Sequence, residues 1–147
     1  MVKLYYFDLF ARAEPMRMAL WKAGVEYEDI RVTGQSWTDF KKESEFGQIP
    51  VLELDDGTRL SQSRAILNYL GSTYKLVSDD IMENYKGEKA ANYFMGDYLM
   101  KYVVPSMFAP EEKRADLNKT LLETHIPKML NDISSKCLGD TKFLCGE

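Results

Sequence analysis

Tyr6 closes the short apolar run Leu4-Tyr5-Tyr6-Phe7, and Asp8-Leu9-Phe10-Ala11-Arg12-Ala13-Glu14-Pro15 follows it. The pattern is a strand, a loop carrying one arginine, and a helix opening at Pro15. A phenol at a strand end can aim its hydroxyl into the cleft above a sheet and donate a hydrogen bond to a bound anion, such as a thiolate. Arg12 lies just past it and can either support that anion or pair with Glu14.

Three further groups can hold a small acidic ligand. In Phe46-Gly47-Gln48-Ile49-Pro50-Val51-Leu52 a proline stands at the mouth of a strand, where it cannot donate to a ladder. A cis Ile49-Pro50 bond would turn the Ile49 backbone toward the cleft to pair with an extended peptide; a trans bond would merely start a strand. Gln62-Ser63 sits where a helix begins, with Ser63 as a good N-cap; such a helix start either holds a carboxylate or is a plain cap. Trp37 and Lys41, four apart, share a helix face, and their indole N–H and ammonium suit a carboxylate unless they form only a surface pair.

The elements that position these residues follow from periodicity. Lys3–Phe7 and Glu26–Val32 read as strands flanking a helix from Pro15 to Ala23, which Gly24 stops. Trp37–Glu45 reads as a short irregular helix. Pro50–Leu54 and Thr58–Leu60 flank Asp55-Asp56-Gly57, a hairpin signal, and Ser63 opens a helix with Ile66, Leu67 and Leu70 on one face. The order is β-α-β-α-β-β-α, with parallel pairing expected among the first three strands and an antiparallel hairpin in the last two. A polar linker, Lys75–Asp80, follows. Met82 to Phe108 and Ala115 to Lys136 are then helical in pattern, with Pro105 near the end of the first and Pro127 able to kink the second. A small α/β domain over residues 1–76 and an all-helical one over 82–147 are expected.

The chain has 147 residues and 45% apolar content, enough for a core, and a net charge of −4, which argues against nucleic acid or anionic membrane as main partners. No apolar run approaches the ~18 residues of a spanning helix, and the N-terminus runs straight into a strand with no signal region. Cys137 and Cys145 read as reduced thiols of a cytoplasmic protein, with a disulfide as the lesser alternative. The one histidine, His125, cannot build a metal site or triad alone and reads as a surface or capping residue. Asp8 to Pro15 contain no cysteine, which excludes thiol–disulfide chemistry at that loop.

Taken together, Lys3–Phe7 with Arg12-Ala13-Glu14, Trp37 with Lys41, Phe46–Glu53 and Gln62-Ser63-Arg64-Ala65-Ile66 with Tyr69-Leu70 resemble a cytosolic glutathione S-transferase. The chain is most similar to the sigma class, which includes invertebrate transferases and a glutathione-dependent prostaglandin D synthase. The resemblance implies a thioredoxin-like N-terminal domain and an all-α C-terminal one. It makes Tyr6 the catalytic tyrosine and Arg12 its support for the thiolate. Trp37 and Lys41 would hold the glycine carboxylate of glutathione, and Gln48, Ile49 and Pro50 the middle of the tripeptide, with Ile49 pairing to the cysteinyl backbone. Gln62 and Ser63 would hold the γ-glutamyl end, and Asp97 resembles the acidic residue that reaches the γ-glutamyl amine across the family's homodimer interface. Phe7, Phe10, Met95 and Leu99 are the candidate walls of an electrophile pocket. Glutathione is the expected co-substrate, with no metal.

Two departures stand out. Phe10-Ala11 occupies the place where sigma members usually carry Arg-Gly. Lys142–Glu147 resembles the stretch just before the family's central C-terminal helix, so an incomplete helical domain is expected. That leaves two competitors to the enzyme: a non-catalytic transferase-like subunit or interaction module of a larger assembly, and a lens-type structural protein.

Overall fold

Five residues, Val2–Tyr6, all buried but the half-buried Lys3, make the strand on which the N-terminal unit is built, here called β1. The computed structural model describes residues 1–138 and 140 and divides the chain into two compact units, Met1–Val77 and one beginning at Ser78. In the first unit β2 (Tyr27–Arg31), β3 (Val51–Glu53) and β4 (Arg59–Ser61) join β1 in one sheet, ordered β2-β1-β3-β4. Side chains along β1 alternate between two layers. Val2, Leu4 and Tyr6 pack with Met16 and Leu20 of α1 (Glu14–Lys22) and Ile66 and Leu70 of α3 (Ser63–Thr73). Tyr5 packs the other way, its ring stacked on Phe40 of α2 (Gly34–Glu43) with centroids 4.2 Å apart. This is the thioredoxin-like arrangement that the resemblance implies.

One expectation about the sheet is corrected. β1 and β2 are parallel, but β3 runs antiparallel to β1, so the first three strands are not mutually parallel. Register gives the reason. β2 ends with Arg31 beside Tyr6, and β3 starts with Val51 beside Tyr5. The connection thus leaves and re-enters the sheet at the same end, although it contains a helix that reads like a crossover.

Helix ends explain most boundary differences. α1 stops in a Schellman turn: Gly24 lies at φ +67, its N–H reaches the Trp21 carbonyl at 3.0 Å, and the Val25 N–H reaches that of Leu20 at 3.0 Å. α2 begins three residues before the expected Trp37, because Thr33 and Ser36 form a capping box in which serine replaces the usual Glu or Gln. Ser63 is the first residue of α3 and not its N-cap; Gln62 holds that place at φ +70, without a side-chain capping bond. The Ile49–Pro50 bond is cis. Ala11, at φ +31, opens the short 3₁₀ turn Ala11–Ala13 that leads into α1. A Cβ there is strained, at the position where the resemblance expects glycine.

In the second unit, the Asp80 side chain caps α4 (Ile81–Asn92), accepting from the Met82 and Glu83 N–H groups at 2.7 and 3.2 Å. The helical path continues through wide, i→i+5 turns over Tyr93–Val103 into α5 (Val104–Met107). The next helix, α6 (Glu111–Thr120), starts four residues before the expected Ala115, since Glu111, Glu112, Lys113 and Arg114 carry no apolar period. It passes through a second wide stretch, Leu121–His125, into α7 (Ile126–Ile133), and a third, Ser134–Leu138, follows. The first two wide stretches each end two residues before a proline, Pro105 or Pro127. A proline ring crowds the carbonyl four residues back, and a loosened turn relieves that clash.

Asp132 joins the two helical paths. The Tyr93 hydroxyl donates to it at 2.7 Å, Lys136 pairs with it at 2.5 Å, and Lys128 also pairs with it. Bonds from Lys128, then Lys136, then Tyr93 hold the Asp132 carboxyl well below the usual carboxylate range. The same carboxylate pushes Tyr93 up to about 12. His125 stacks on Tyr102 with centroids 3.8 Å apart; it is half-buried and stands at the N-cap position of α7 without a side-chain capping bond.

Two outcomes are expected. Ala11→Gly should raise the free energy of unfolding by about 1 kcal/mol in urea titrations, because strain relief outweighs the added freedom of the unfolded chain. Asp132 is depressed on folding, so its contribution is present above the unfolded carboxylate pKa of about 3.9 and is lost as pH falls through and below that value. The stability gap between the protein and Asp132→Asn should therefore close between about pH 4 and pH 2. In the variant, ultraviolet titration should find Tyr93 ionising nearer the ordinary phenol pKa of about 10.

Candidate functional site

At the end of the sheet where β1 stops, the N-terminal unit opens into a cleft of about 390 Å³, within the range of small-molecule sites. Each wall comes from a different connection. β1 ends in Tyr6, with Phe7 next; the loop to α1 supplies Arg12; α2 supplies Trp37. The segment entering β3 contributes Phe46–Pro50, and the turn from β4 into α3 contributes Ser61, Gln62 and Ser63.

Tyr6 has two attachments. Its ring belongs to the buried core beneath the sheet, only 5% exposed. Its hydroxyl oxygen accepts the Arg12 backbone N–H at 3.3 Å. An oxygen that accepts such a bond still carries its own proton, and a polarised hydroxyl is a better donor. Phe7 fills the space between Tyr6 and Trp37, its ring 5.7 Å from the first and edge-on to the second at 5.2 Å. Across the cleft, Gln62 Nε2 donates to Gln48 Oε1 at 3.4 Å and links two of the contributing segments. The strained φ of Gln62 therefore falls on the cleft rim, a place where strain is tolerated when the surroundings fix it.

The electrostatics favour an anion. Among the lining residues Arg12 alone carries a charge, and it is positive. Glu14, the alternative partner for Arg12, accepts from Arg17 Nη1 at 2.8 Å. The first turn of α3 opens at Ser63, where N–H groups without intrahelical partners favour a carboxylate. Together these offer a phenol donor and an arginine in one cleft wall and amide and hydroxyl groups in another.

Tyr6, Phe7, Arg12, Trp37, Gln48, Ile49, Pro50, Gln62 and Ser63, all singled out from the sequence, thus line one cleft. Lys41 is not in the lining, but its stem runs beside Gly47, close enough that a Cβ there would lie 3.5 Å from Lys41 Cε. Phe10 is 75% exposed and outside the lining. Met95, Asp97 and Leu99 belong to the second unit, on Tyr93–Val103. Asp97 borders a smaller cavity there, of about 190 Å³, with Lys101 and Lys128. Sequence reasoning did not nominate Phe46, Gly47 and Ser61. The first two stood inside a motif already quoted, and Ser61 is one residue before Gln62, so adjacency was their only signal.

The chain is similar to known proteins of one family. Residues 2–72 match the N-terminal domain of glutathione S-transferases. Hematopoietic prostaglandin D synthase of Gallus gallus is 32% identical over 149 residues, spanning 99% of this chain and 70% of that protein. A glutathione S-transferase of Anopheles gambiae is 30% identical across 86% of this chain and 64% of its own length. Among solved structures, rat hPGDS complexed with a quinoline superposes with a TM-score of 0.86 at 29% identity, covering 99% of this chain and 71% of that one. The sigma class GST of Fasciola hepatica gives 0.83 at 28%, with the same coverage. The chain therefore spans between 64% and 71% of the length of these relatives, and on the match to the N-terminal domain and the likeness to the Gallus protein it belongs to the glutathione S-transferase family.

Proposed function

We propose that the chain binds glutathione in the Tyr6 cleft and that the Tyr6 hydroxyl holds the bound thiol as a thiolate for attack on a small electrophile. The observation that carries this reading is the Tyr6 hydroxyl at the cleft, its oxygen occupied by the Arg12 N–H and its proton left to donate. A free thiol has a pKa near 8.5, so little is ionised at neutral pH. Lowering it by about two units takes roughly 2.7 kcal/mol of preference for the anion. A phenol hydrogen bond with a guanidinium nearby is of that size. The thiol proton leaves to solvent, and the sulfur then forms its bond to carbon as the electrophile's leaving group departs or its double bond is consumed.

The roles follow the walls. Arg12 supports the thiolate. Trp37, with Lys41 beside Gly47, takes the glycine carboxylate, and Gln48, Ile49 and Pro50 take the middle of the tripeptide. Gln62 and Ser63, at the opening of α3, take the γ-glutamyl end. Asp97 completes that end from a second copy in a homodimer. Phe7, Phe10, Met95 and Leu99 are the residues proposed to meet the electrophile. The sigma class GST among the structural neighbours supports a sigma-like assignment, and the reading needs no metal.

Glutathione binding to the chain, followed by calorimetry with the thiolate's ultraviolet absorbance recorded in the same samples, tests this directly. Binding with a thiolate signal at pH 7 is expected. Tyr6→Phe should keep the ring packing, raise the bound thiol's pKa by about two units and cut conjugation at pH 7 on the order of 25-fold, the loss of thiolate that such a shift brings. A folded protein that binds no glutathione would overturn the reading in favour of an interaction module. Trp37 borders the cleft, while Trp21 is 79% exposed and outside its lining. Saturating glutathione should therefore change tryptophan emission in the protein and leave it unchanged in Trp37→Phe.

A further inference from the structure

Arg17, on α1, is 8% exposed and does not line the cleft. Its guanidinium is shared among three segments. Nε donates to Asp29 Oδ2 on β2 at 3.0 Å, and Nη1 donates to Glu14 at 2.8 Å and to the Leu9 carbonyl at 3.3 Å. Leu9 lies in the middle of the loop that runs from Tyr6 to Arg12. Arg17 Nη2 and Asp29 Oδ1 are buried without a protein partner among the described residues. The pair therefore forgoes the two-bond fork with a carboxylate that arginine makes best, and one nitrogen is turned toward the loop.

Asp29 is held in turn. Arg31 Nε and Nη2 donate to the same Oδ2 at 2.9 and 2.6 Å, and Arg31 Nη1 reaches Asp8, also in the loop, at 3.3 Å. The Asp8 contact is exposed, and exposed ion pairs contribute little. The Leu9 contact is made by a buried guanidinium, and a buried hydrogen bond to a charged donor is among the stronger kinds. The loop also needs holding. Ala11 sits at φ +31, two residues past Leu9 and one before Arg12, and a strained conformation persists only where its surroundings determine it.

We propose that Arg17 is a positioning residue for the Tyr6 site: by gripping the Leu9 carbonyl it fixes the loop, so that the Arg12 amide stays on the Tyr6 oxygen and the Tyr6 proton is left for the thiolate. This rests on the glutathione reading above. Loosening the loop removes the Arg12 N–H from Tyr6 and weakens the hydroxyl as a donor, without altering any wall that touches the peptide. Glycine at position 11 accepts the loop conformation without being held in it. Ala11→Gly should therefore compensate for a lost grip.

The test is the pH titration of thiolate absorbance at saturating glutathione, for the protein, Arg17→Lys, Asp29→Asn and Arg17→Lys with Ala11→Gly. Lysine keeps the charge but cannot serve three acceptors in fixed directions. The bound thiol is expected to titrate about one pH unit higher in Arg17→Lys. Asp29→Asn should move it the same way by less, and Ala11→Gly should recover about half of the Arg17→Lys displacement. Glutathione affinity at a pH where the thiol stays protonated should change less than about twofold. Titrations that coincide with the unaltered protein's, whether or not the melting temperature drops, would reduce Arg17 to a purely structural role. Asp29→Asn decides the matter if Arg17→Lys does not fold. An unaltered protein without a thiolate signal at neutral pH would instead sink the glutathione reading, and this inference with it.

Discussion

The hydrogen bond from the Arg12 amide to the Tyr6 oxygen joins the end of a buried strand to the beginning of a helix, and the site takes its form from that join. The ring below the oxygen is core, so the hydroxyl cannot wander. The chain must then turn from Tyr6 to Arg12 quickly enough to bring the amide back over the oxygen. This requires the bend at Leu9, whose N–H reaches the Phe7 carbonyl at 2.7 Å, and the positive φ at Ala11. The buried arginine beneath the bend and the strain at Ala11 both serve one distance. Such coupling, in which core packing, a cap and a loop share a few atoms, is how a fold places a reactive group without a rigid cage.

The helical unit meets a different constraint. Two prolines stand within helical runs, and each follows a widened stretch that accommodates its missing N–H and bulky ring. Widened turns pack less regularly, and polar side chains hold the two runs together. Tyr93 and Lys136 from different runs meet at Asp132, and Lys89 donates to the Lys136 carbonyl at 2.7 Å. Hydrogen-bonded and charged contacts are directional, so they set the register of two irregular helices more sharply than apolar packing does.

Much of this was legible in the residues. The apolar period of α1, the stop at Gly24, the turn at Asp55-Asp56-Gly57 and the face of α3 all carry local signals, because each depends on the residue type at that position. What was not legible depends on something farther away. The direction of β3 is set by which end of the sheet receives Val51, and a helix in the connection mimics the pattern of a crossover. The positive φ values of Ala11 and Gln62 carry no mark, since neither residue is glycine. The capping box at Thr33 is hidden by a serine in place of the usual acid or amide. For the site, the residues near strand ends and helix starts were recoverable, since connections at one end of an α/β sheet converge there. Met95, Asp97 and Leu99 entered through resemblance alone; no local pattern marks them.

The strand order has a bearing on how the protein behaves in a crowd. Outer strands offer backbone groups to any neighbouring chain, and a sheet with inviting edges grows into aggregates. Here the outer strands are β2 and β4. β2 carries Glu28, Asp29 and Arg31 within five residues, and β4 has only three residues, the first being Arg59. Both edges thus combine charge or brevity with a short central strand, β3, and an incoming strand would have to bury or repel those charges to pair. Asp29 and Arg31, which help to brace the loop, in this sense also oppose pairing of a further strand along the β2 edge.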